Sequence, residues 1–518
     1  MAKKTSLEKT ALSKTARAKK LKESSKKAAP AVESQKKTVP AKSAPKQMRL
    51  QVEDNEKGVR KKFGKASHFV TAGERREKGK ALRELVPRED HAFWSMPPKR
   101  RDPIEVLEES NVGRIEHLIP IRYGRMMKSP FTFFRGSAAL MAADLASTPV
   151  TGLQVQLCGD CHLLNFGGYA TPERNLIVDI NDFDETLPGP WEWDLKRLAT
   201  SFVLAGRANN FKEEICREAA EAVARSYRES MRKFSEMTAL DIWYSKMELN
   251  EFLSAIKNKS FREDVEAYVK KAKDRPIREY YFPKMTVLKG NRYVFKDEPP
   301  LVYHDEEQRK TDWVERLIGA FEDYKATLND ARRTLLDRYV IMDFATKVVG
   351  IGSVGTACAV MLLMADEKDP LILQIKEARQ SVLEPYLAKS KYKQHGQRVV
   401  EGQRLMQSHS DIMLGFVKGA KGRDFYLRQL KDVKMSPVPE LWTTSRIIEV
   451  AESFGWILAR AHARSGDAAT ISGYLGAKDV FDKALAEFSV AYADQTEFDH
   501  KALLTAIRKG RIEATIET

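Results

Sequence analysis

Between Leu157 and Leu198 the chain gathers carboxylates, an amide and an imidazole at short spacing. The order is Gly159-Asp160-Cys161-His162-Leu163-Leu164-Asn165, then Asp182-Phe183-Asp184-Glu185, then Trp191-Glu192-Trp193-Asp194-Leu195. Phosphoryl transfer asks for a set of this kind. One carboxylate orients the attacking hydroxyl and accepts its proton, while an amide oxygen and a second carboxylate hold magnesium against the phosphates. Asp160 and Asn165 on one loop, followed by Asp182 after a short hairpin, supply it. His162 is expected to brace the loop by hydrogen bonds. Asp184 and Glu185 read as solvated acids, with a second metal as the alternative. Arg135, after two phenylalanines, reads either as phosphate-facing or as half of a buried ion pair. Trp191 and Trp193 read as packing.

Asp160-x-His162-x-x-Asn165 resembles the catalytic loop of aminoglycoside phosphotransferases and related small-molecule kinases. Asp182-Phe183 resembles their metal-binding motif, and Asp194-Leu195, twelve residues on, their structural Asp-Leu pair. The resemblance implies ATP and Mg²⁺ as cofactors and a hydroxyl acceptor, with Asp160 as base and Asn165 and Asp182 as metal ligands. Asp179 competes for the metal role, and the step to Asp194 favours Asp182.

Such an enzyme also needs a phosphate-covering glycine loop and a lysine. These lie downstream: Gly350-Ile351-Gly352-Ser353-Val354-Gly355 sits between apolar runs, and Lys376 closes the next run like the lysine of a kinase third strand. Gly350, Gly352, Ser353 and Gly355 are therefore expected to bind nucleotide with Lys376. Glu401 in the following helix is expected to orient that lysine, with Glu384 as the alternative. Because the parts run in reversed order, the expected fold is α+β, kinase-like and two-lobed, circularly permuted. A dinucleotide fold is the rival reading of the glycines, with a helix over 356–364. A glycine turn between strands without any ligand is the plainer one.

At the level of the whole chain, FFRGSAALMAADLA, LCGDCHLLNFG, NDFDETLPGPWEWDLKRLA, VVGIGSVGT and LARAHARSGDAATISGYLG resemble the bacterial family known as domain of unknown function 2252. The resemblance spans roughly residues 65 to 515.

The elements that position these motifs follow from periodicity. The sequence predicts a helix over 133–146, short strands at 155–157 and 175–180, and helices through 194–234. Residues 240–310 read as charged and irregular, and 312–340 as one or two amphipathic helices. Strands follow at 346–356, 357–364 and 371–375, then a helix over 398–407, a hairpin over 412–430 and helices from Ser445 onward. The expected division is a Lys/Ala-rich disordered tail at 1–65, a helical large lobe at 66–340, a β-rich small lobe at 341–435 and C-terminal helices at 436–518.

Composition sets the outer bounds. The chain has 518 residues and a net charge of +16. Met1 to Leu50 holds 15 Lys and Arg against three acids, which leaves only about +4 on the rest. The tail is expected to touch nucleic acid or other polyanions weakly, or to act as a solubilising extension. Four cysteines rule out a disulfide scaffold. The longest apolar run, Ala357 to Ala365, has nine residues against the roughly 20 that span a bilayer. No apolar segment follows the basic N-terminus, so no membrane partner and a cytoplasmic location are expected. Cys158-x-x-Cys161-His162 also matches the haem c attachment pattern, which that location disfavours, and a zinc or redox pair lacks a second Cys-x-x-Cys. Cys216 and Cys358 read as small buried apolar residues.

Overall fold

A computed structural model of the chain describes residues 69–273, 280–306, 310–348, 350–419, 422–430 and 433–516. The basic tail lies outside the described residues. The fold is mixed α+β. Two small antiparallel pairings carry the acidic loops: β1 (Gln154–Leu157) with β4 (Leu187–Pro190), and β2 (Phe166–Ala170) with β3 (Leu176–Ile180). β5 (Met247–Glu248) adds to β3. The Asp160 loop joins β1 to β2 and the Asp182 loop joins β3 to β4, so both emerge from one pair of neighbouring ribbons. The Asn181 amide donates to the Asn165 carbonyl at 2.7 Å and ties the loops together.

These ribbons rest on a helical core. In the helix Trp191–Ala208 every residue from Trp191 to Gly206 is buried, the charged Glu192, Asp194, Lys196 and Arg197 among them, so the helix carries polar contacts into the core as well as apolar packing. It packs with Glu213–Phe234, Thr444–Ala463 and Val480–Arg508. Gly455 is where Thr444–Ala463 crosses Glu213–Phe234, and a Cβ there would meet the Val223 carbonyl oxygen at 2.4 Å. Trp191 stacks on Tyr227 and donates to the Thr151 hydroxyl at 3.0 Å, which confirms its packing role. The single helix expected over 133–146 is two, Pro130–Gly136 and Ala138–Leu145, because Ser137 leaves helical geometry between them. Residues 240–310 are more regular than their charge suggested. They form the helices Ala239–Tyr244, Leu249–Ala255 and Lys259–Lys273, and a hairpin of β6 (Thr286–Lys289) with β7 (Arg292–Phe295).

The remaining strands build a six-stranded antiparallel sheet in the order β12-β13-β11-β10-β9-β8. They are β8 (Val302–Tyr303), β9 (Val340–Lys347), β10 (Cys358–Asp366), β11 (Asp369–Ala378), β12 (Gly415–Lys418) and β13 (Asp424–Gln429). The helix His395–Met406 stands between β11 and β12. β10 is apolar on both faces for a physical reason. Ala359, Met361 and Leu363 face the core under the helix Thr311–Ala326, while Val360, Leu362 and Met364 face a second core closed by Phe282 and Phe295. β9 begins at Val340, earlier than its glycine-rich end suggested. The amphipathic stretch before it breaks at Asn329, whose side chain caps the helix Asp330–Leu336. Among the described residues no helix is long and apolar enough to cross a membrane.

Candidate functional site

The Asp160 loop is held from beneath. Both oxygens of the buried Asp194 accept from its backbone, at 2.7 Å from Cys158 N and 3.0 Å from Gly159 N. Asp194 also receives His462 Nε2 at 3.3 Å, and Tyr227 meets the other imidazole nitrogen at 2.8 Å. Gly159 turns with φ +87°, a conformation that costs glycine little. One turn along the same helix from Asp194, Arg197 donates through Nε to Asp160 Oδ1 at 2.7 Å and through Nη2 to the Phe134 carbonyl at 2.9 Å. Asp160 Oδ2 is left toward the cavity, 3.8 Å from His162 Nε2. His162 braces the loop through its backbone: its N–H donates to the Asp160 carbonyl and its carbonyl accepts from Asn165 N. The imidazole makes no hydrogen bond through Nδ1. Burial, reinforced by Arg135 and Arg197, takes it down to about 3 although Asp160 pulls the other way. Asn165 Nδ2 donates to the Asp160 carbonyl at 2.6 Å, which turns the amide oxygen the other way.

The second acidic loop meets the sheet. Lys376, on β11 and 3% exposed, places its ammonium 2.7 Å from Asp184 Oδ2 and 3.6 Å from Asp182 Oδ2. Burial alone would lower its pKa, but the two carboxylates outweigh burial and hold the ammonium well above the usual lysine range. Burial likewise opposes ionisation of Asp182, and Lys376 and then Arg428 win, so its carboxyl lies below the ordinary range. Asp184 is not a solvated acid. Besides Lys376 it accepts from the Tyr426 hydroxyl at 2.7 Å and from Ser353 Oγ, in the glycine turn, at 3.2 Å. Glu185 accepts from Val382 N at 2.8 Å, and burial pushes its pKa up. Asp179 points elsewhere: it is buried against Arg460 and accepts from the Ser408 amide and hydroxyl. That leaves Asp182, not Asp179, on the cavity.

The expected orienting of Lys376 by Glu401 is not what the structure has. Glu401 pairs with Arg404 at 2.9 Å, and Glu384 accepts from Gln380 at 3.1 Å. The Asp182–Asp184 loop reaches the lysine first, and the helix that carries Glu401 approaches that loop through Arg398, which donates to the carbonyls of Asp184 and Thr186.

The two stretches line one cavity of about 650 Å³. Asp160, Asn165 and Asp182 stand on its walls with Gly350, Gly352, Ser353 and Lys376. The glycine turn runs from antiparallel β9 through a short 3₁₀ segment, Ile351–Ser353, into β10. The dinucleotide reading needs a helix over 356–364, where the chain forms a strand. A Cβ on Gly350 would meet nothing within 4 Å, and one on Gly352 only the Arg135 carbonyl oxygen at 3.7 Å. Those two positions therefore border open space. Gly355 differs, with φ +83° and Arg114 Cβ at 3.1 Å.

Several residues that line the cavity or hold its acidic side chains escaped sequence reasoning. Arg197 was within reach, since it sits three residues from Asp194 on one helix face. Arg428 and Tyr426 on β13, Arg379 after β11, and Arg114 and Arg122 far upstream carried no local signal. The thiols of Cys158 and Cys161 lie beside Asp194, with ligand atoms within 4.8 Å of one another. Burial raises both, Cys161 to about 11, so at neutral pH they are protonated and pack as small apolar groups. Cys216 and Cys358 are buried, as expected.

Fold and cavity together define an α+β protein in which two carboxylate loops face a glycine turn and a buried lysine. The chain belongs to the family described as "Uncharacterized protein conserved in bacteria (DUF2252)", whose profile matches residues 114–506. No curated protein and no solved structure matches it.

Proposed function

We propose that this protein is an ATP-dependent phosphotransferase acting on a hydroxyl, with a circularly permuted kinase-like architecture. Its large lobe would be 66–340, its small lobe 341–435, and 436–518 helices that return to the large lobe. The observation that carries the reading is the contact of Lys376 with Asp184 and Asp182, which joins residues nearly two hundred positions apart over one cavity. The element order supports it: strand, glycine turn, strand, lysine-bearing strand, helix and hairpin follow one another as a kinase small lobe uses them.

The roles follow from the contacts. Asp160 Oδ1 is fixed by Arg197, so Oδ2 takes the proton of the attacking hydroxyl. Asn165 Oδ1 and the Asp182 carboxylate are hard oxygen donors on the same wall, which suits magnesium. When bound, Mg²⁺ neutralises phosphate charge and orients the transferred group. Lys376 supplies positive charge to the phosphates, and the backbone at Gly350 and Gly352 approaches them without a Cβ in the way. The hydroxyl oxygen bonds to the γ-phosphorus as the bridging bond to ADP breaks.

Asp160→Asn keeps the shape and removes the base. Turnover should fall by about 10²–10⁴-fold with ATP affinity unchanged. Equal turnover in wild type and variant would refute Asp160 as base. ATP binding with no turnover in either would favour a pseudokinase that signals by nucleotide-dependent shape.

A further inference from the structure

The cavity holds more cationic charge than its carboxylates neutralise. Eight Lys or Arg side chains and five carboxylates line it, and of the eight only Lys376 has a carboxylate within ion-pair distance among the described residues. Four of the others, Arg114, Arg122, Arg135 and Arg379, line the same cavity without contacting its carboxylates. Arg122 is 2% exposed, and its guanidinium meets only neutral acceptors, Asn111 Oδ1 and the Gly136 carbonyl, with Nε unpartnered. Arg114 donates to the carbonyls of Ser110 and Val354, and Arg379 to that of Val112. Arg135 keeps a buried Nε without a partner, and the first charge to act on it is Asp160.

Burial first, then Arg122 and Arg379, push the Arg114 guanidinium below its ordinary range. Glu185 acts on Arg114 and Asp160 on Arg135, but neither comes within ion-pair distance. Like charges held this close without a direct ion pair are costly, and a bound anion relieves them. Guanidinium forks match the oxygens of a phosphate in a bidentate fashion, which a lysine cannot do. The cluster is distinct from the cations around the metal-site carboxylate, since Arg428, Lys376 and Lys434 act on Asp182 and on one another. One of its members borders the proposed base, and none of it is needed to hold that base.

We propose that the acceptor itself bears a phosphate group, received by Arg114, Arg122, Arg135 and Arg379 while its hydroxyl faces Asp160. This rests on the phosphotransferase reading. The substrate class is then a phosphorylated small molecule with a free hydroxyl, rather than a neutral sugar or a cationic aminoglycoside. The same arginines could instead grip the polyphosphate tail of the nucleotide, and the experiment separates the two.

Inorganic phosphate serves as the probe on the full chain, followed by calorimetry and thermal melting with and without saturating Mg²⁺-ADP. Phosphate should bind wild type and raise its melting temperature in both conditions. The double variant Arg135→Gln/Arg379→Gln should lose at least about tenfold in phosphate affinity, the order of one good charge-assisted contact, with ADP affinity unchanged. Displacement of phosphate by Mg²⁺-ADP, or parallel loss of ADP binding in the variant, would assign the arginines to the nucleotide and overturn the proposal. So would ADP binding with no phosphate binding in wild type, a result that does not depend on how the variant folds. If phosphate binds through these arginines and no nucleotide does, the anion site stands and the phosphotransferase reading falls.

Discussion

The two oxygens of Asp160 have different surroundings, and that difference decides what the residue can do. Oδ1 is taken by Arg197, whose other arm reaches the Phe134 carbonyl, so the carboxylate cannot rotate freely. Oδ2 is the one that faces the cavity. Arg197→Lys keeps the charge and loses the fork, so it should lower turnover by about 10²-fold through misplacement while leaving ATP affinity intact. Equal loss of ATP affinity would mean that Arg197 holds the cavity together rather than the base. That Asp160, Asn165 and Asp182 would share one cavity was legible because oxygen donors at short spacing on neighbouring loops converge. The partner of Lys376 was not. A lysine at a strand end has many acids within sequence reach, and only the path of the Asp182–Asp184 loop makes Asp184 the first to arrive.

Glycines at the level of the element separate what holds a loop from what leaves room for a ligand. At Gly159 a Cβ would sit 2.4 Å from the Glu185 carbonyl oxygen at φ +87°, so Gly159→Ala should destabilise the protein by about 1–3 kcal/mol in urea unfolding. Gly352→Ala meets only an ordinary contact, so it should leave stability within about 0.5 kcal/mol and weaken ATP binding. A Gly352→Ala protein that unfolds early but binds ATP normally would make the turn structural. Element types were readable where burial sets the pattern, on both faces of β10 and on one face of the helix Glu213–Phe234. They were misread or left open where capping decides. Ser137 splits an apolar run into two helices, and the cap at Asn329 settles the choice between one helix and two that amphipathicity left open. Over 240–310 the charges lie on exposed faces of short helices, which hid the periodicity beneath them.

The whole molecule places much of its charge chemistry inside, and its stability should report that. His91 is fully buried against Tyr474, and burial together with Lys196 lowers its pKa to about 3 from 6.5. Between those values the unfolded chain binds a proton that the folded chain refuses, so stability falls as pH falls. Wild type should therefore lose roughly 2 kcal/mol more than His91→Gln between pH 6.5 and 5. Parallel curves for the two would show that His91 is solvated. At this scale the sequence yielded the α+β class and the meeting of two distant stretches, but not the arginines, because residues 114, 122, 135 and 379 converge only through the packing of separate elements. The proposed function requires the acidic loops and the glycine turn to act on one nucleotide. Calorimetric titration of the full chain with ATP, with and without Mg²⁺, tests it most directly when run beside Lys376→Met. A single magnesium-dependent site in wild type that vanishes in the variant is the expected result. No heat and no melting shift with ATP in wild type would contradict it.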